Sequence, residues 1–199
     1  MEKWVLLRKG VDFEHISQKF HVTPRVASLI RNREIIGDEA IERYLHGTIA
    51  DLYDGMLMKD MDKAIAVLTE KIREGRRIRI IGDYDIDGVQ ATYILMEGFR
   101  HLGAVVDSDI PDRMTDGYGL NQHLIDRALE AGIDTIVTCD NGIAAAKEIA
   151  YAKSLDMTVV VTDHHEVPFE EQNGERLYLL PPADAVVDPK REDCHYPFK

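Results

Sequence analysis

From Met61 onward the apolar residues of the chain follow two alternating rhythms. Met61, Ala64, Ile65, Leu68 and Ile72 recur at helical spacing, and Gly75 closes that run. Residues 78–81 then form a short unbroken apolar block, as a strand covered on both faces requires. The pair repeats down the chain. Helices are predicted over 89–102, 121–131 and 144–155, with Gly103 and Gly132 as stops, and strands over 104–110, 135–139, 159–162 and 185–187. Strand–helix alternation with short turns demands right-handed crossovers. The expected fold is therefore α/β, an open parallel five-stranded sheet with helices on both faces.

Ahead of this regular part the first 58 residues carry no strand signal and read as helical and irregular. Thr23-Pro24 is an N-cap and N1 pair opening a helix to about Asn32, and 38–45 is another short helix. The expected organisation is a small helical N-terminal segment, residues 1–58, followed by an α/β domain, residues 59–199.

In open parallel sheets ligands bind beyond the carboxyl ends of the strands, near the point where strand order reverses. Those ends carry Asp83, Asp85 and Asp87, then Pro111-Asp112-Arg113, Asp140, Asp163-His164-His165 and Asp188. Aspartate favours turns and caps, so chance supplies some of these. Acidic tips along a whole edge, one with two histidines, point instead to ligands for a hard cation. In D-Y-D-I-D-G an extended backbone would put alternate carboxylates on one face, and Gly88 would allow the turn into the next helix. One of the three, Asp87 by position, is expected to cap that helix as well. Asp140 in C-D-N-G-I reads either as a cap or half of an Asx turn with Asn141-Gly142, or, with the first and third strands adjacent, as a ligand facing the triplet.

Imidazole beside carboxylates suits Mn²⁺, Fe²⁺ or Zn²⁺ better than Ca²⁺, and oxygen-rich sets favour Mn²⁺ or Mg²⁺. One histidine can ligate while its neighbour contacts phosphate or handles a proton. Five or six ligands suit two ions about 3.5–4 Å apart, which activate water, neutralise phosphoryl oxygens and stabilise the leaving oxygen. The reaction class so implied is phosphoester or phosphoanhydride hydrolysis. The loop I-P-D-R-M-T-D-G-Y-G-L-N lies over the same edge. There Arg113 could pair with phosphate and Tyr118 stack on a base, with Asn121 beside them as a third substrate-binding candidate or simply the cap of the next helix.

Composition narrows the field. A net charge of −12 argues against a general nucleic-acid coat, although a carboxylate-rich site is acidic until its ions bind. Basic runs occur at 25–33 and 73–79, the second best read as a solvated helix end. There is no Gly-rich P-loop and no GxSxG, which removes support for NTPase and serine-hydrolase chemistry. No apolar run approaches the roughly 20 residues of a membrane span, and the N-terminus lacks a signal-peptide pattern. Cys139 and Cys194 fit neither a disulfide framework nor a CxxC knuckle, so a reducing cytoplasm is expected.

Taken together, G-D-Y-D-I-D-G-V, I-P-D-R-x-x-D-G-Y-G-L-N, V-T-C-D-N-G-I, V-T-D-H-H-E-V-P and V-D-P-K-R-x-D-C-x-Y-P-F resemble the DHH phosphoesterase superfamily, and within it the RecJ-type single-strand-specific exonucleases. The leading Asp83 replaces the histidine with which pyrophosphatase and oligoribonuclease relatives usually begin. The similarity runs from about Met58 to Lys199, with a weaker echo at residues 4–10. The resemblance implies metal ligation by Asp83, Asp85, Asp87, Asp140 and His164, a phosphate contact from His165, and a catalytic role for Asp163 with His165. It implies two Mn²⁺ or Mg²⁺ ions, single-stranded DNA as substrate, 5′→3′ digestion in repair and recombination, association with other repair or replication proteins, and a monomer. The alternatives are a DHH phosphatase acting on short oligonucleotides, cyclic dinucleotides or pyrophosphate, and a non-catalytic DHH scaffold that binds DNA. The family has a further aspartate motif downstream of Y-P-F, and Asp188 matches a different motif. The resemblance therefore implies an N-terminal fragment that binds metal weakly and has little nuclease activity.

Overall fold

A computed structural model of the chain describes residue 3, residues 13–172 and residues 174–198. The echo at residues 4–10 lies outside the described residues. The chain divides into two compact units, one ending at Leu52 and the other beginning at Tyr53, ahead of the boundary expected at residue 58.

In the first unit, α1 (Phe13–Lys19), α2 (Pro24–Asn32) and α3 (Asp38–His46) close around Ile16, Phe20, Ala27, Ile30 and Ile41. Thr23 caps α2 through its side chain, which accepts from the Val26 amide, and Pro24 occupies the first turn where its missing N–H costs nothing.

The second unit opens with α4 (Met61–Arg73), then β1 (Arg77–Ile81), α5 (Ile86–His101), β2 (Val105–Asp109), α6 (Gln122–Glu130), β3 (Thr135–Cys139), α7 (Ala146–Ser154) and β4 (Thr158–Thr162). A hairpin, β5 (Phe169–Gln172) and β6 (Glu175–Tyr178), precedes the last strand, β7 (Ala185–Val187). The parallel sheet has the order β2-β1-β3-β4-β7, with parallel pairing throughout. Successive side chains of each strand leave on opposite faces. Ile81, Ile136, Val159 and Val161 pack with Leu124, Ile125 and Ala128 of α6 and Ile149 and Ala152 of α7. Ile78, Ile80, Val137 and Val160 pack on the other face with Ala64 of α4 and Met96 and Phe99 of α5. Each fully buried isoleucine, leucine or valine among these contributes roughly 1.5–3 kcal/mol. No helix among the described residues is long and apolar enough to cross a membrane.

Two expectations need correction. Helix α5 starts at Ile86, not at 89, so D-Y-D-I-D-G is not an extended run with three parallel carboxylates. Asp85 is its N-cap, accepting from the amides of Asp87 and Gly88, and Asp87 lies in the first turn. The cap is thus Asp85 and not Asp87. Gly88 serves close packing, not a turn: a Cβ there would sit 2.5 Å from the Asp83 carbonyl oxygen. The β5–β6 hairpin is the second departure. Nearly all of its residues are exposed, so the apolar alternation that betrays a half-buried strand is missing from F-E-E-Q and E-R-L-Y.

Candidate metal centre

Strand β1 leads to β2 on one side and has β3 on the other, so strand order reverses at the β1/β3 boundary. There the carboxyl ends of two adjacent strands diverge into different connections and leave a crevice. Asn141 stitches them together, its Nδ2 donating to the carbonyls of Ile81 (3.1 Å) and Cys139 (3.0 Å). Next to it Asp140 holds φ +62°, a left-handed conformation unusual for a residue other than glycine. Such backbone strain persists only where the surroundings enforce it, here through Asn141 and through the Asp140 amide bonded to the Thr162 carbonyl.

Asp140 is the meeting point of two sets of ligand-type side chains. Asp83, Asp85 and Asp140 form one, and Asp140, His164 and His165 the other, the donor atoms of each lying within 4.8 Å of one another. His164 turns its Nε2 to Asp140 Oδ1 at 2.8 Å. Burial pushes the Asp140 carboxyl above its ordinary range; its hydrogen bond with His164 opposes this and the charge of Asp85 adds to it. Asp85 is held low, chiefly by the Gly88 amide. Asp83 is 1% exposed, and among the described residues its Oδ1 has no hydrogen-bond partner. A buried carboxylate oxygen without a donor is costly unless a cation meets it. The residues present therefore fit a divalent metal: carboxylates from three chain positions, one imidazole, and an orphaned oxygen.

Asp163 has a different task. It is buried, and Oδ2 accepts from the Ile143 amide at 2.9 Å. Oδ1 accepts from the amides of His164 and His165 and from His165 Nδ1 at 2.7 Å. Its acceptors are thus engaged in fixing the loop and the second imidazole. Burial disfavours the charged form of His165, but the hydrogen bond to Asp163 and the charges of Asp163 and Asp140 outweigh it and raise the imidazole pKa.

The other predicted residues are placed as follows. Asp87 belongs to neither ligand set; it lines a groove with Met61, Ala91, Ile94 and Leu95, next to Asp140 and His164. Asp112 folds its own loop, accepting from the amides of Met114 and Thr115. Arg113 lies over the Tyr84 ring at 5.2 Å. Tyr118 meets Tyr84 edge-on at 6.3 Å and turns its hydroxyl toward His165. Asn121 caps α6, accepting from the Leu124 amide while its Nδ2 donates to the Asp116 carbonyl, which is a structural task. Asp188, at the end of β7, is fully buried with one oxygen unpartnered among the described residues, and burial pushes its carboxyl up to about 6. It stands outside both ligand sets.

Sequence reasoning missed Tyr84 and the stitching role of Asn141. For Tyr84 the only signal is an aromatic between two aspartates at a strand end. For Asn141 it is a polar amide directly after a buried strand, where two backbone carbonyls would otherwise lack donors.

The chain is 39% identical over 198 residues to the single-stranded-DNA-specific exonuclease RecJ of Bacillus subtilis, a match spanning 99% of this chain and 24% of that protein. It is 32% identical over 200 residues to the enzyme of that name from Escherichia coli, covering 32% of it. The chain thus spans about a quarter to a third of the length of these curated relatives. Among solved structures, RecJ in complex with Mn²⁺ from Thermus thermophilus superposes with a TM-score of 0.62 at 29% identity, over 92% of this chain and 24% of that one. Exonuclease RecJ bound to manganese gives a TM-score of 0.61 at 34% identity, over 71% and 34%. The model of the DHH family, N-terminal domain, matches residues 77–195, and the chain belongs to that family.

Proposed function

We propose that this edge is the metal centre of a RecJ-type exonuclease that hydrolyses phosphodiester bonds of single-stranded DNA with Mn²⁺ or Mg²⁺. The observation that carries the reading is Asp140, shared by both ligand sets and held in a strained conformation between them. The single-stranded-DNA-specific relatives and the manganese-bound structures support it.

In this reading Asp83, Asp85 and Asp140 would hold one ion, and Asp140 with His164 would hold a second. Metal bound there would neutralise the phosphoryl oxygens, lower the pKa of an attacking water and stabilise the leaving oxygen. The chain's own residues do the positioning. Asp140 and Asp85 keep their carboxylates aimed across the β1/β3 crevice, because the first is locked by its backbone and the second by the helix amides it caps. Asp163 fixes the His165 ring through Nδ1, which leaves Nε2 to face the scissile phosphate. The Arg113 guanidinium lies over the Tyr84 ring, a cation–aromatic pair suited to phosphate and base of an unpaired strand.

Titration calorimetry with Mn²⁺ tests the centre. Asp140→Asn tolerates the left-handed backbone and removes the shared ligand, so affinity should fall about a hundredfold, with His164→Ala close behind. Unchanged affinity in both variants would remove the metal assignment. Long single-stranded DNA, dinucleotides and pyrophosphate offered side by side with Mn²⁺ then separate the exonuclease from a small-substrate phosphatase. Single-stranded DNA should be preferred, and a preference for pyrophosphate would sink the exonuclease reading.

A further inference from the structure

We propose that the first unit is a second nucleic-acid surface, on which α2 lays its outward face against the phosphates of double-stranded DNA. The inference goes beyond the function proposed above and uses none of its metal ligands. It starts from charge. Residues 1–52 hold eight basic and eight acidic side chains, so the net charge of −12 falls wholly on the second unit. The first unit therefore does not repel phosphate as the rest of the chain does.

The two basic runs of the sequence are used differently. In the second, Arg76 pairs with Glu74 and Asp134, Arg79 pairs with Asp107, and Arg77 donates to the Ala131 carbonyl. In the first, Arg25, Arg31 and Arg33 meet no carboxylate among the described residues, and Arg33 reaches the Leu29 carbonyl. Carboxylates are near, because Lys19 of α1 is paired with Asp38 and Arg43 of α3 with Asp51. Helix α2 itself contains no acid, and Arg25 stands in its first turn, where the helix dipole favours an anion. The positive end of the dipole and the Arg25 guanidinium thus add their potentials at one point.

The frame around α2 is the one used to read a duplex. Four residues join α1 to α2, and the Val22 amide closes the turn on the Ser17 carbonyl at 3.1 Å. The Ser17 hydroxyl returns a bond to the Val22 carbonyl at 2.5 Å, and His21 takes a left-handed φ of +54°. Ile16 and Phe20 pack with Ala27 and Ile30, which commits one side of α2 to the core. Its other side turns Arg25, Leu29 and Asn32 to solvent, with Arg33 at the C-cap. In a helix-turn-helix the second helix enters the major groove, and basic side chains around it fix the register on the phosphates. Surfaces for unpaired strands stack bases on aromatic rings, and α2 has none. Duplex DNA is the occupant this face fits.

Fluorescence anisotropy of a labelled duplex with the whole chain tests this, in EDTA so that the metal centre takes no part. At about 50 mM salt the dissociation constant should lie in the range of about 10⁻⁴ to 10⁻⁶ M usual for sequence-independent contacts. Arg25→Gln with Arg33→Gln should weaken binding about tenfold and lower the salt slope of log affinity by about two. Arg25→Lys with Arg33→Lys should stay within about threefold of the wild type, since lysine also meets phosphate as a point charge. Arg76→Gln removes a cation that is already paired and should change neither quantity. Glutamine keeps the helix propensity of arginine, so all variants should melt with the wild type. A glutamine pair that binds like the wild type, or a wild-type chain that leaves the duplex free, would overturn the proposal. So would a lysine pair that loses as much as the glutamine pair, because the loss would not be one of charge. A single strand of equal length that binds more tightly than the duplex, with the loss confined to it, would overturn the duplex assignment. Mn²⁺ affinity of the glutamine pair, expected to equal that of the wild type, keeps this result distinct from the fate of the metal centre.

Discussion

The tips of β1 and β4 offer the same chemistry in sequence, acid-rich turns after apolar strands, yet they use it in opposite ways. At the β1 tip the backbone is served by one carboxylate. Asp85 takes the amides of Asp87 and Gly88, and Asp83 is left with a buried oxygen that nothing in the described chain satisfies. At the β4 tip Asp163 is wholly engaged by protein donors, and it is the histidines beside it that face outward. A carboxylate oxygen is therefore left open to a cation where no local amide takes it, as at Asp83 Oδ1 and at Asp85, which meets both amides with Oδ1 alone. Where both oxygens meet protein donors, as in Asp163, the side chain is part of the scaffold.

The sharpest break in this comparison is Asp163→Ala. It would leave the buried Ile143 amide without an acceptor and release two more amides and an imidazole. At about 1–3 kcal/mol for a buried unsatisfied donor, the expected loss is about 3 kcal/mol by urea denaturation. A loss under about 0.5 kcal/mol would mean that Asp163 is no scaffold.

Asp188 sharpens the comparison from the other side, as a buried carboxyl at a strand end with one oxygen unpartnered. Its pKa is pushed from 3.8 to about 6, first by burial, with a backbone amide from Lys190 opposing and the charge of Asp163 adding to it. A carboxyl with a raised folded-state pKa binds its proton more tightly when folded, so its penalty is absent below about pH 4 and grows as pH rises through about 6. Asp188→Asn should accordingly stabilise the chain by about 2 kcal/mol at pH 7.5 and leave it unchanged near pH 4. Equal effects at the two pH values would show that burial of charge is not what Asp188 contributes.

How much of this was legible in the sequence follows from the same contrast. The β–α alternation and the strand at Thr135–Cys139 were legible because period-2 and period-3.6 patterns differ over whole elements. Thr23-Pro24 was legible because cap chemistry is local. The convergence of Asp83, Asp85, Asp140, His164 and His165 followed from parallel topology, which puts every strand end on one edge. The jobs within D-Y-D-I-D-G were not legible. Alternating aspartates satisfy both an extended ligand run and a capped helix start, and only the positions of the Asp87 and Gly88 amides decide between them. The stitch made by Asn141 spans 60 positions of sequence to the Ile81 carbonyl, and no local pattern encodes such a contact. The β5–β6 hairpin escaped because a strand exposed on both faces has no apolar rhythm to read.

The finest test separates the two jobs that Asp85 performs at once. Serine caps a helix nearly as well as aspartate, whereas alanine does not, and neither supplies a carboxylate. Asp85→Ala should lower the melting temperature by a few degrees, Asp85→Ser should leave it close to the wild type, and both should weaken Mn²⁺ binding by about tenfold or more. Asp87→Ala, in the first turn of the helix and outside both ligand sets, should change neither quantity measurably. Two results would collapse the distinction drawn between the tips. If Asp85→Ser melted as early as Asp85→Ala, the carboxylate charge and not the cap would be holding the start of α5. If Asp87→Ala lost as much metal affinity as Asp85→Ser, the three aspartates would act together in solution as the alternating sequence suggests, and the first turn of α5 would have to open for them to do so.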